Sequence, residues 1–277
     1  MKTVVAESAL LTERDRLPGP VGFVPTMGYL HEGHLSLVRA ARRDCASVVV
    51  SIFANPTQFA PDEDLATYPR DIERDKTLLQ AENVDLVWIP TEEMMYPDGY
   101  QTWVTVEKLT KHLEGVHRPT HFQGVTTIVA KLFNAVQPDR AYFGQKDAQQ
   151  AVVIRQMVRD LNYPIEIEVC PIVREHDGLA MSSRNTYLDQ AQRQAALSLS
   201  QGLFQAREAY QEGLHDAEAL RGIVIERIKE EDLAEIEYVS CAHPEKLIEL
   251  DGEIDCCLLS LAVYVGETRL IDNVLLK

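Results

Sequence analysis

Residues 21–53 read VGFVPTMGYLHEGHLSLVRAARRDCASVVVSIF, and their pattern predicts the fold class. Gly22–Pro25 and Ser47–Phe53 are short β-rich runs without charged residues, which is typical of strands covered on both faces. Between them, His34–Arg43 places leucine, valine and alanine side chains at helical spacing and ends in basic residues. A strand, a helix and a second buried strand in this order predict a parallel βαβ unit.

The same alternation continues through the first two thirds of the chain. Further strands are predicted at Val84–Ile89, Arg140–Phe143 and Ile165–Val173, and helices at Asp71–Glu82, Thr126–Val136 and Ala148–Leu161. We therefore expect an α/β fold, with a Rossmann-like domain over residues 1–176 whose parallel sheet carries helices on both faces.

The pattern changes after about residue 176. Two amphipathic helices are predicted at Gln190–Gly213 and Ala217–Glu230, followed by strands at Ile236–Ser240, Cys256–Val265 and Thr268–Asn273, with a hairpin turn at Gly266-Glu267. Residues 177–277 thus predict a smaller C-terminal α+β domain. We expect this domain to act as a lid and to support a dimer. The alternative is that it serves structural packing alone.

Composition excludes several classes of protein. The 277 residues include 27 Lys+Arg and 43 Asp+Glu, a net charge of −16 that argues against a nucleic-acid partner. The sequence contains no run of about 18 apolar residues, so no membrane span is predicted. The first 20 residues do not resemble a signal peptide. Five cysteines without a Cys-x-x-Cys pair favour reduced thiols in a cytoplasmic protein.

The first candidate site lies where Phe23–His34 leaves a strand and enters a helix. The chain turns at Gly28, His31 and His34 are close enough to share one face of a turn, and Gly33 lets a ligand approach the backbone. Two imidazoles at a helix N-terminus favour hydrogen bonds to phosphate oxygens. One histidine could instead cap or pack, whereas a zinc site lacks the further ligands that it needs.

The second candidate is Ser51–Phe59, which again follows a buried strand. Asn55 and Gln58 can both donate and accept hydrogen bonds, which suits a ligand carrying hydroxyls and a carboxylate. The alternative is that these side chains satisfy only the backbone of their own turn.

The third candidate, Tyr142–Gln150, is a strand, a glycine, Lys146-Asp147 and then a helix. Lys146 would neutralise phosphate charge, and Asp147 could accept from a ribose hydroxyl or help to place Mg²⁺. Gln150 lies one helical turn beyond Lys146. On its own, this short motif is also compatible with a solvated loop.

The fourth candidate is Val173–Arg184, which turns at Asp177-Gly178 and ends in Met-Ser-Ser-Arg. The Arg184 guanidinium suits bidentate phosphate binding, and the segment could close over a nucleotide. An ordinary surface loop is the alternative. Taken together, the four candidates predict one pocket that gathers His31, His34, Lys146 and Arg184 despite the acidic average charge.

These stretches resemble the AMP-forming pantoate–β-alanine ligase family, the pantothenate synthetases, over nearly the whole chain. The resemblance is carried by PTMGYLHEGH (25–34), VSIFANPTQF (50–59), HFQGVTTIVAKLFNAVQPDRAYFGQKDAQQ (121–150), VREHDGLAMSSRNTYL (173–188) and TRLIDN (268–273). The first and fourth are also similar to the signature motifs of class I aminoacyl-tRNA synthetases and related nucleotidylyltransferases. Gln145 departs from the acidic residue usual in the family, and Ala54 from the usual valine.

The resemblance implies a two-step reaction. ATP and (R)-pantoate, with Mg²⁺, give pantoyl adenylate and diphosphate, and β-alanine then displaces AMP to give pantothenate. It implies catalytic roles for His31, His34, Lys146 and Arg184, with pantoate held by Gln58 and Gln150 and β-alanine bordered by Gln58. Asn55, Tyr68 and Glu114 are secondary candidates, no direct metal ligand is assigned, and a homodimer is expected.

The resemblance also implies the residues that line ATP. They are Met27, Gly28, Tyr29, Leu30, His31, Glu32, Gly33, His34, Gly144, Gln145, Lys146, Asp147, Val173, Met181, Ser182, Ser183 and Arg184. Two rival functions share parts of this pattern: a cytidylyltransferase-like or tRNA-synthetase-like enzyme with another acceptor, and a non-catalytic nucleotide-binding protein. The acidic charge disfavours a tRNA partner, and a non-catalytic protein would not need both histidines, Lys146 and Arg184.

Overall fold

The structure is a computed structural model that describes residues 1–61 and 63–277. It forms two compact units. The first comprises residues 1–111, 115–144 and 150–171, and the second comprises residues 112–114, 145–149 and 172–277. Each unit has its own hydrophobic core. The division into functional domains at residue 176 stays a prediction.

The first unit is built on a six-stranded sheet in which every strand pair is parallel. Its strands are β1 (Lys2–Val4), β2 (Val21–Thr26), β3 (Ser47–Ile52), β4 (Leu86–Trp88), β5 (Arg140–Gly144) and β6 (Glu166–Cys170), in the order β1-β4-β3-β2-β5-β6. The helices of this part of the chain are α1 (Glu7–Arg14), α2 (Glu32–Asp44), α3 (Ile72–Ala81), α4 (Glu92–Met95), α5 (Glu114–His117), α6 (His121–Val136) and α7 (Ala148–Asp160).

Strands β2 and β3 form the centre of the sheet, and both of its faces are covered. Phe23 and Val49 belong to the core that contains Phe133 of α6, whose ring lies edge-on to Phe23 at 6.4 Å. The next residue along β2, Val24, belongs instead to the core that contains Val38 of α2. Successive strand residues point to opposite faces, so this alternation places helices on both sides of the sheet. The predicted α/β class is confirmed.

Several element bounds differ from the sequence-based expectation. Helix α6 begins at His121 rather than Thr126. The sequence did not predict its first turn because His121, Gln123 and Gly124 interrupt the apolar pattern there and glycine disfavours helix. The strands expected at Val84–Ile89 and Ile165–Val173 are shorter, since only the central residues of each are paired to neighbours. Strand β1 and helix α1 were not predicted, because they are short and mostly exposed, with only Leu10 of the helix buried.

The second unit contains three α-helices and an antiparallel sheet, and α9 and α10 pack against that sheet. These are α8 (Gln190–Ala195), α9 (Leu197–Gln211) and α10 (Ala217–Lys229), with β7 (Ala234–Ala242), β8 (Cys257–Val265) and β9 (Thr268–Leu276) in that order in the sheet. The turn at Gly266-Glu267 is present as predicted. The single helix expected over Gln190–Gly213 is instead two helices separated at Ala196, a break that alanine itself does not signal. No helix within residues 1–61 and 63–277 is long and apolar enough to cross a membrane.

Candidate active site

The turn after β2 gives the first candidate segment its shape. Gly28 has a φ of +86° and Tyr29 a φ of 49°, so the chain passes through two consecutive left-handed residues. A Cβ on Gly28 would lie 3.0 Å from Cγ2 of Ile52 and 3.2 Å from Oδ2 of Asp75. Glycine is therefore required here by both the backbone angle and the close approach of β3 and α3.

The carboxylate of Asp75 on α3 binds the backbone of this turn. Its two carboxylate oxygens accept the backbone N–H groups of Tyr29 at 2.8 Å and Leu30 at 2.7 Å, and the residue is only 1% exposed. Burial raises the pKa of the Asp75 carboxyl, while the two backbone donors oppose that rise. Sequence reasoning missed Asp75, although its place four residues before Leu79 puts it on the buried face of α3.

The two histidines form a capping box at the N-terminus of α2. Nδ1 of His31 accepts the N–H of Gly33 at 3.1 Å, and Nδ1 of His34 accepts the N–H of His31 at 3.3 Å. The capping alternative weighed for one histidine thus holds for both. Because each Nδ1 is an acceptor, the proton of each neutral ring resides on Nε2. The rings lie 4.1 Å apart, so two Nε2–H donors are presented together at a helix N-terminus.

Asn55 and Gln58 belong to one partly buried hydrogen-bond network beside the end of β3. Nδ2 of Asn55 donates to Oε1 of Gln58 at 3.0 Å and to the carbonyl of Gly124 at 3.2 Å, while its Oδ1 accepts from Tyr96 and Thr57. Burial raises the pKa of Tyr96 to about 12, so its hydroxyl remains a donor at neutral pH. With Oε1 occupied, Gln58 directs its Nε2 donor toward Sδ of Met27, 3.1 Å away. A thioether is a weak acceptor that a substrate oxygen would outcompete.

The backbone of Gln58 is held from α6 and the turn before it. Its carbonyl accepts from Nη2 of Arg118 at 3.2 Å and lies 2.8 Å from Nδ1 of His121, and Arg118 is ion-paired to Glu63 at 2.6 Å. A Cβ at Gly124 would lie 2.4 Å from the carbonyl oxygen of Thr57 and 2.7 Å from the nitrogen of Gln58. Only glycine allows α6 to approach the Gln58 segment this closely.

Gly124→Ala is expected to destabilise the protein by about 1–3 kcal/mol, because the clash involves backbone atoms that cannot rotate away. Chemical denaturation measures the loss. Gly222→Ala in α10 is the matched control, since a Cβ there meets nothing within 4 Å. Equal stability of the two variants would contradict the close packing at Gly124.

The Lys146 segment belongs to the second unit, where Gln145–Asp147 form one turn of 3-10 helix after β5. The ammonium group of Lys146 lies 3.9 Å from Oδ1 of Asp147, and its side chain is 21% exposed. Gln145 donates from Nε2 to Oδ1 of Asn273 at 3.0 Å. A carboxylate at position 145 would have no proton to donate in that hydrogen bond.

The segment Val173–Arg184 is also part of the second unit and is held by its own hydrogen bonds. Met181 donates its N–H to the carbonyl of Val173 at 3.0 Å, and Oγ of Ser182 accepts the N–H of Arg184 at 3.2 Å. Ser182 thereby caps the 3-10 helix Ser183–Tyr187. Its side-chain oxygen is used for this cap, so its role toward a ligand stays a prediction.

The predicted site residues are distributed over both units. Met27, Gly28, Tyr29, Leu30, His31, Glu32, Gly33, His34, Gln58, Gly144 and Gln150 lie in the first unit, and Gln145, Lys146, Asp147, Val173, Met181, Ser182, Ser183 and Arg184 lie in the second. Tyr68 is buried against Phe59, and Glu32 is ion-paired to Arg39. Glu114 is ion-paired to Arg269 and accepts a hydrogen bond from the Tyr238 hydroxyl. These contacts give it a structural role in the second unit.

A parallel sheet with a glycine turn and paired histidines at the start of α2 defines an α/β enzyme of the nucleotidylyltransferase type. The family model for pantoate-β-alanine ligase matches residues 1–275. A pantothenate synthetase from Chloroflexus aurantiacus is 58% identical over 258 residues, which cover 93% of this chain and 92% of that protein. The chain belongs to the pantoate–β-alanine ligase family.

Solved structures of pantothenate synthetases superpose on this chain. The pantothenate synthetase from Thermus thermophilus superposes with a TM-score of 0.94 at 48% identity, covering 99% of both chains. The pantoate-β-alanine ligase from Francisella tularensis, solved in complex with β-γ ATP and β-alanine, superposes with a TM-score of 0.82 at 33% identity. It covers 99% of this chain and 97% of that one.

Proposed function

We propose that this chain condenses (R)-pantoate with β-alanine at the expense of ATP, through a pantoyl adenylate, to give pantothenate, AMP and diphosphate. Family membership and the ligands of the Francisella tularensis relative support this proposal. The observation that carries it is the histidine capping box, because both Nδ1 atoms accept backbone N–H groups and the proton of each neutral ring is therefore on Nε2, at the N-terminus of α2. That arrangement suits a polyphosphate.

In the first step the pantoate carboxylate attacks the α-phosphorus of ATP, one P–O bond forms, and the P–O bond to diphosphate breaks. The enzyme needs no covalent intermediate for this exchange. It must align the carboxylate with the leaving group and stabilise the charge that develops on the phosphate oxygens. We assign the second task to His34 and His31, with Lys146 and Arg184 as the cations.

ATP is assigned to the residues set out above from Met27 to His34, Gly144 to Asp147, Val173 and Met181 to Arg184. The backbone of Met27–His34 would lie along the nucleotide, and Val173 would meet the adenine. Met181–Arg184 would close over the triphosphate, which is the lid role proposed for residues 177–277. These assignments rest on the family resemblance and on the hydrogen-bonded loop structures described within each unit.

Pantoate is assigned to Gln58 and Gln150, and β-alanine to the neighbourhood of Gln58. The Asn55–Gln58 hydrogen bond supports this assignment, because it fixes the Gln58 amide with Nε2 as the donor toward Met27. A carboxylate or hydroxyl oxygen of pantoate would replace the weakly accepting sulfur of Met27.

Mg²⁺ is proposed to arrive with ATP rather than in a preformed protein site. Within the described residues, no group of three or more His, Cys, Asp and Glu side chains could hold a metal ion. Mg²⁺ commonly uses one or two carboxylates together with substrate phosphates, and the half-exposed Asp147 beside Lys146 fits such a role. The ion would offset the negative charge of the triphosphate.

A homodimer and a cytoplasmic location complete the proposal. The dimer rests on the family resemblance, and light scattering of the purified chain tests it directly. The cytoplasmic location rests on the five cysteines, all of which carry free thiols in the structure.

Pantoate-dependent exchange of labelled diphosphate into ATP, measured without β-alanine, tests the function. Exchange that requires pantoate supports the adenylate. Exchange that is absent with pantoate but present with another carboxylic acid or nucleotide acceptor would assign the same fold to a different transferase. Absence of exchange with tight ATP binding would favour a non-catalytic nucleotide-binding protein.

Gln58→Ala is expected to raise the KM for pantoate by about 10-fold, because a hydrogen bond to a charged group contributes roughly 1.5 kcal/mol. The KM for ATP should change little. Steady-state kinetics with each substrate varied in turn separate the two values. Gln80→Ala, at an exposed position of α3, is the control for loss of a glutamine side chain. An unchanged KM for pantoate would remove Gln58 from the substrate site.

A further inference from the structure

Asn273, near the middle of β9, directs its side-chain hydrogen bonds to the Lys146 segment. Its Nδ2 donates to the carbonyls of Gln145 and Lys146, both at 3.0 Å, and its Oδ1 accepts from Nε2 of Gln145 at 3.0 Å. The residue is only 2% exposed. Two hydrogen bonds to backbone carbonyls and one to the Gln145 side chain therefore tie the Lys146 segment to a strand of the C-terminal sheet.

The preceding residue, Asp272, makes an equally buried contact with the root of the Val173–Arg184 segment. Its carboxylate accepts from Nη1 of Arg174 at 2.6 Å and Nη2 at 2.9 Å, a bidentate pair. Arg174 also donates to the carbonyl of Gly178 at 3.1 Å, and its guanidinium lies 4.8 Å from the ring centre of Phe204. The Arg174 side chain is thus held by a salt bridge, a backbone carbonyl and an aromatic face.

We propose that Asp272 and Asn273 are positioning residues for ATP, which together fix the two nucleotide-binding segments of the second unit. Successive side chains of a strand leave it on opposite sides, so one dipeptide can hold two separate segments. Asn273 fixes the backbone from which Lys146 extends, and Asp272 fixes the residue from which the loop to Arg184 begins. This inference rests on the proposed function, because it assigns Lys146 and Arg184 to ATP.

Packing alone does not account for the pair. Leu270, Val274 and Leu276 lie on the same face of β9 as Asp272 and are buried in the apolar core of the second unit, so an apolar side chain at position 272 would suit that surrounding. A carboxylate is costly there unless it is paired, and Arg174 supplies the partner. Asn273 is equally buried, and the Lys146 segment supplies the hydrogen bonds that its amide needs. The polar pair therefore makes the stability of the sheet depend on the two loops being in place.

Asn273→Ala is expected to lower kcat/KM for ATP in pantoate-dependent diphosphate exchange by about 10-fold to 100-fold, the cost of misplacing a catalytic group by about 1 Å. Asn273→Asp, which is nearly isosteric but lacks both N–H donors, should lose as much. Asp216→Ala is the control, because it removes the N-cap of α10 and lowers thermal stability without contacting either segment. Its kcat/KM for ATP should stay within about twofold of the wild type.

A double-variant comparison distinguishes positioning from general damage. If Asn273 acts through Lys146, adding Asn273→Ala to Lys146→Ala should lower the exchange rate by less than about twofold. Losses that multiply in the double variant would overturn the proposal. So would an Asn273→Ala variant whose kinetics match those of Asp216→Ala.

Amide hydrogen exchange gives a readout that is independent of activity. Asn273→Ala should increase exchange in residues 145–149, and Asp272→Asn should increase it in residues 174–185, with α10 unchanged in both. Unchanged protection in these segments would overturn the inference even if the enzyme is active. Absence of wild-type diphosphate exchange would instead refute the proposed function, while the protection data still decide whether the dipeptide holds the loops.

Discussion

Replacing Lys146 or His34 by alanine is expected to lower the rate of pantoate-dependent diphosphate exchange by about 100-fold or more, the effect typical of removing one donor that stabilises transition-state charge. The Lys146 side chain is only 21% exposed, so its charge is only partly screened by water. His34 presents its Nε2–H at the start of α2, where the helix dipole adds to the attraction for phosphate. Exchange assays at saturating pantoate measure both variants.

His34→Asn separates capping from catalysis. The Asn oxygen lies near the position of Nδ1 and can still accept the N–H of His31, whereas no donor remains at the position of Nε2. We expect this variant to recover the stability lost in His34→Ala but not the exchange rate. Recovery of both the stability and the exchange rate would show that His34 acts only as a helix cap. Lys76→Ala, on α3, is the control for loss of a lysine, and near-normal exchange in Lys146→Ala would refute its role.

The elements of the central sheet could be predicted because their burial is continuous along the sequence. Every residue of β3 is buried, so its apolar run is uninterrupted, and α2 shows a clear apolar stripe. Strand β1 and helix α1 could not be predicted from the sequence. The strand has only three residues and the helix buries only one leucine, so neither shows a clear apolar periodicity. The break at Ala196 has no local signal either, since alanine favours helix.

The candidate segments were found because glycine, histidine, lysine and arginine cluster where strands end. The residues that support those segments were harder to predict. Asp75, Asp272 and Asn273 are polar residues inside regular elements, and their partners lie 45 or more residues away in the chain. Sequence spacing identifies neighbours on one helix or strand, but not which loop a buried carboxylate holds. Their signal is their polarity on a face that should be apolar.

Asp75→Asn is expected to destabilise the protein by about 1–3 kcal/mol and to lower diphosphate exchange by about 10-fold to 100-fold. The carboxylate accepts two backbone N–H groups, one with each oxygen. An amide offers only one oxygen, so its NH₂ group would face the second backbone N–H and leave it unpaired in a buried site. The turn that leads to His31 and His34 would then shift.

Asp71→Asn is the matched control, because it makes the same chemical change one helical turn earlier on α3. Asp71 caps that helix by accepting the N–H of Arg74, and asparagine caps a helix about as well as aspartate. Urea denaturation and the exchange assay should therefore show wild-type behaviour for Asp71→Asn and losses in both measurements for Asp75→Asn. If Asp75→Asn loses stability but keeps its exchange rate, the carboxylate supports the fold without setting the histidines. If it loses neither, the two hydrogen bonds do not hold the turn, and the geometry of the histidine pair must be maintained from within α2 alone.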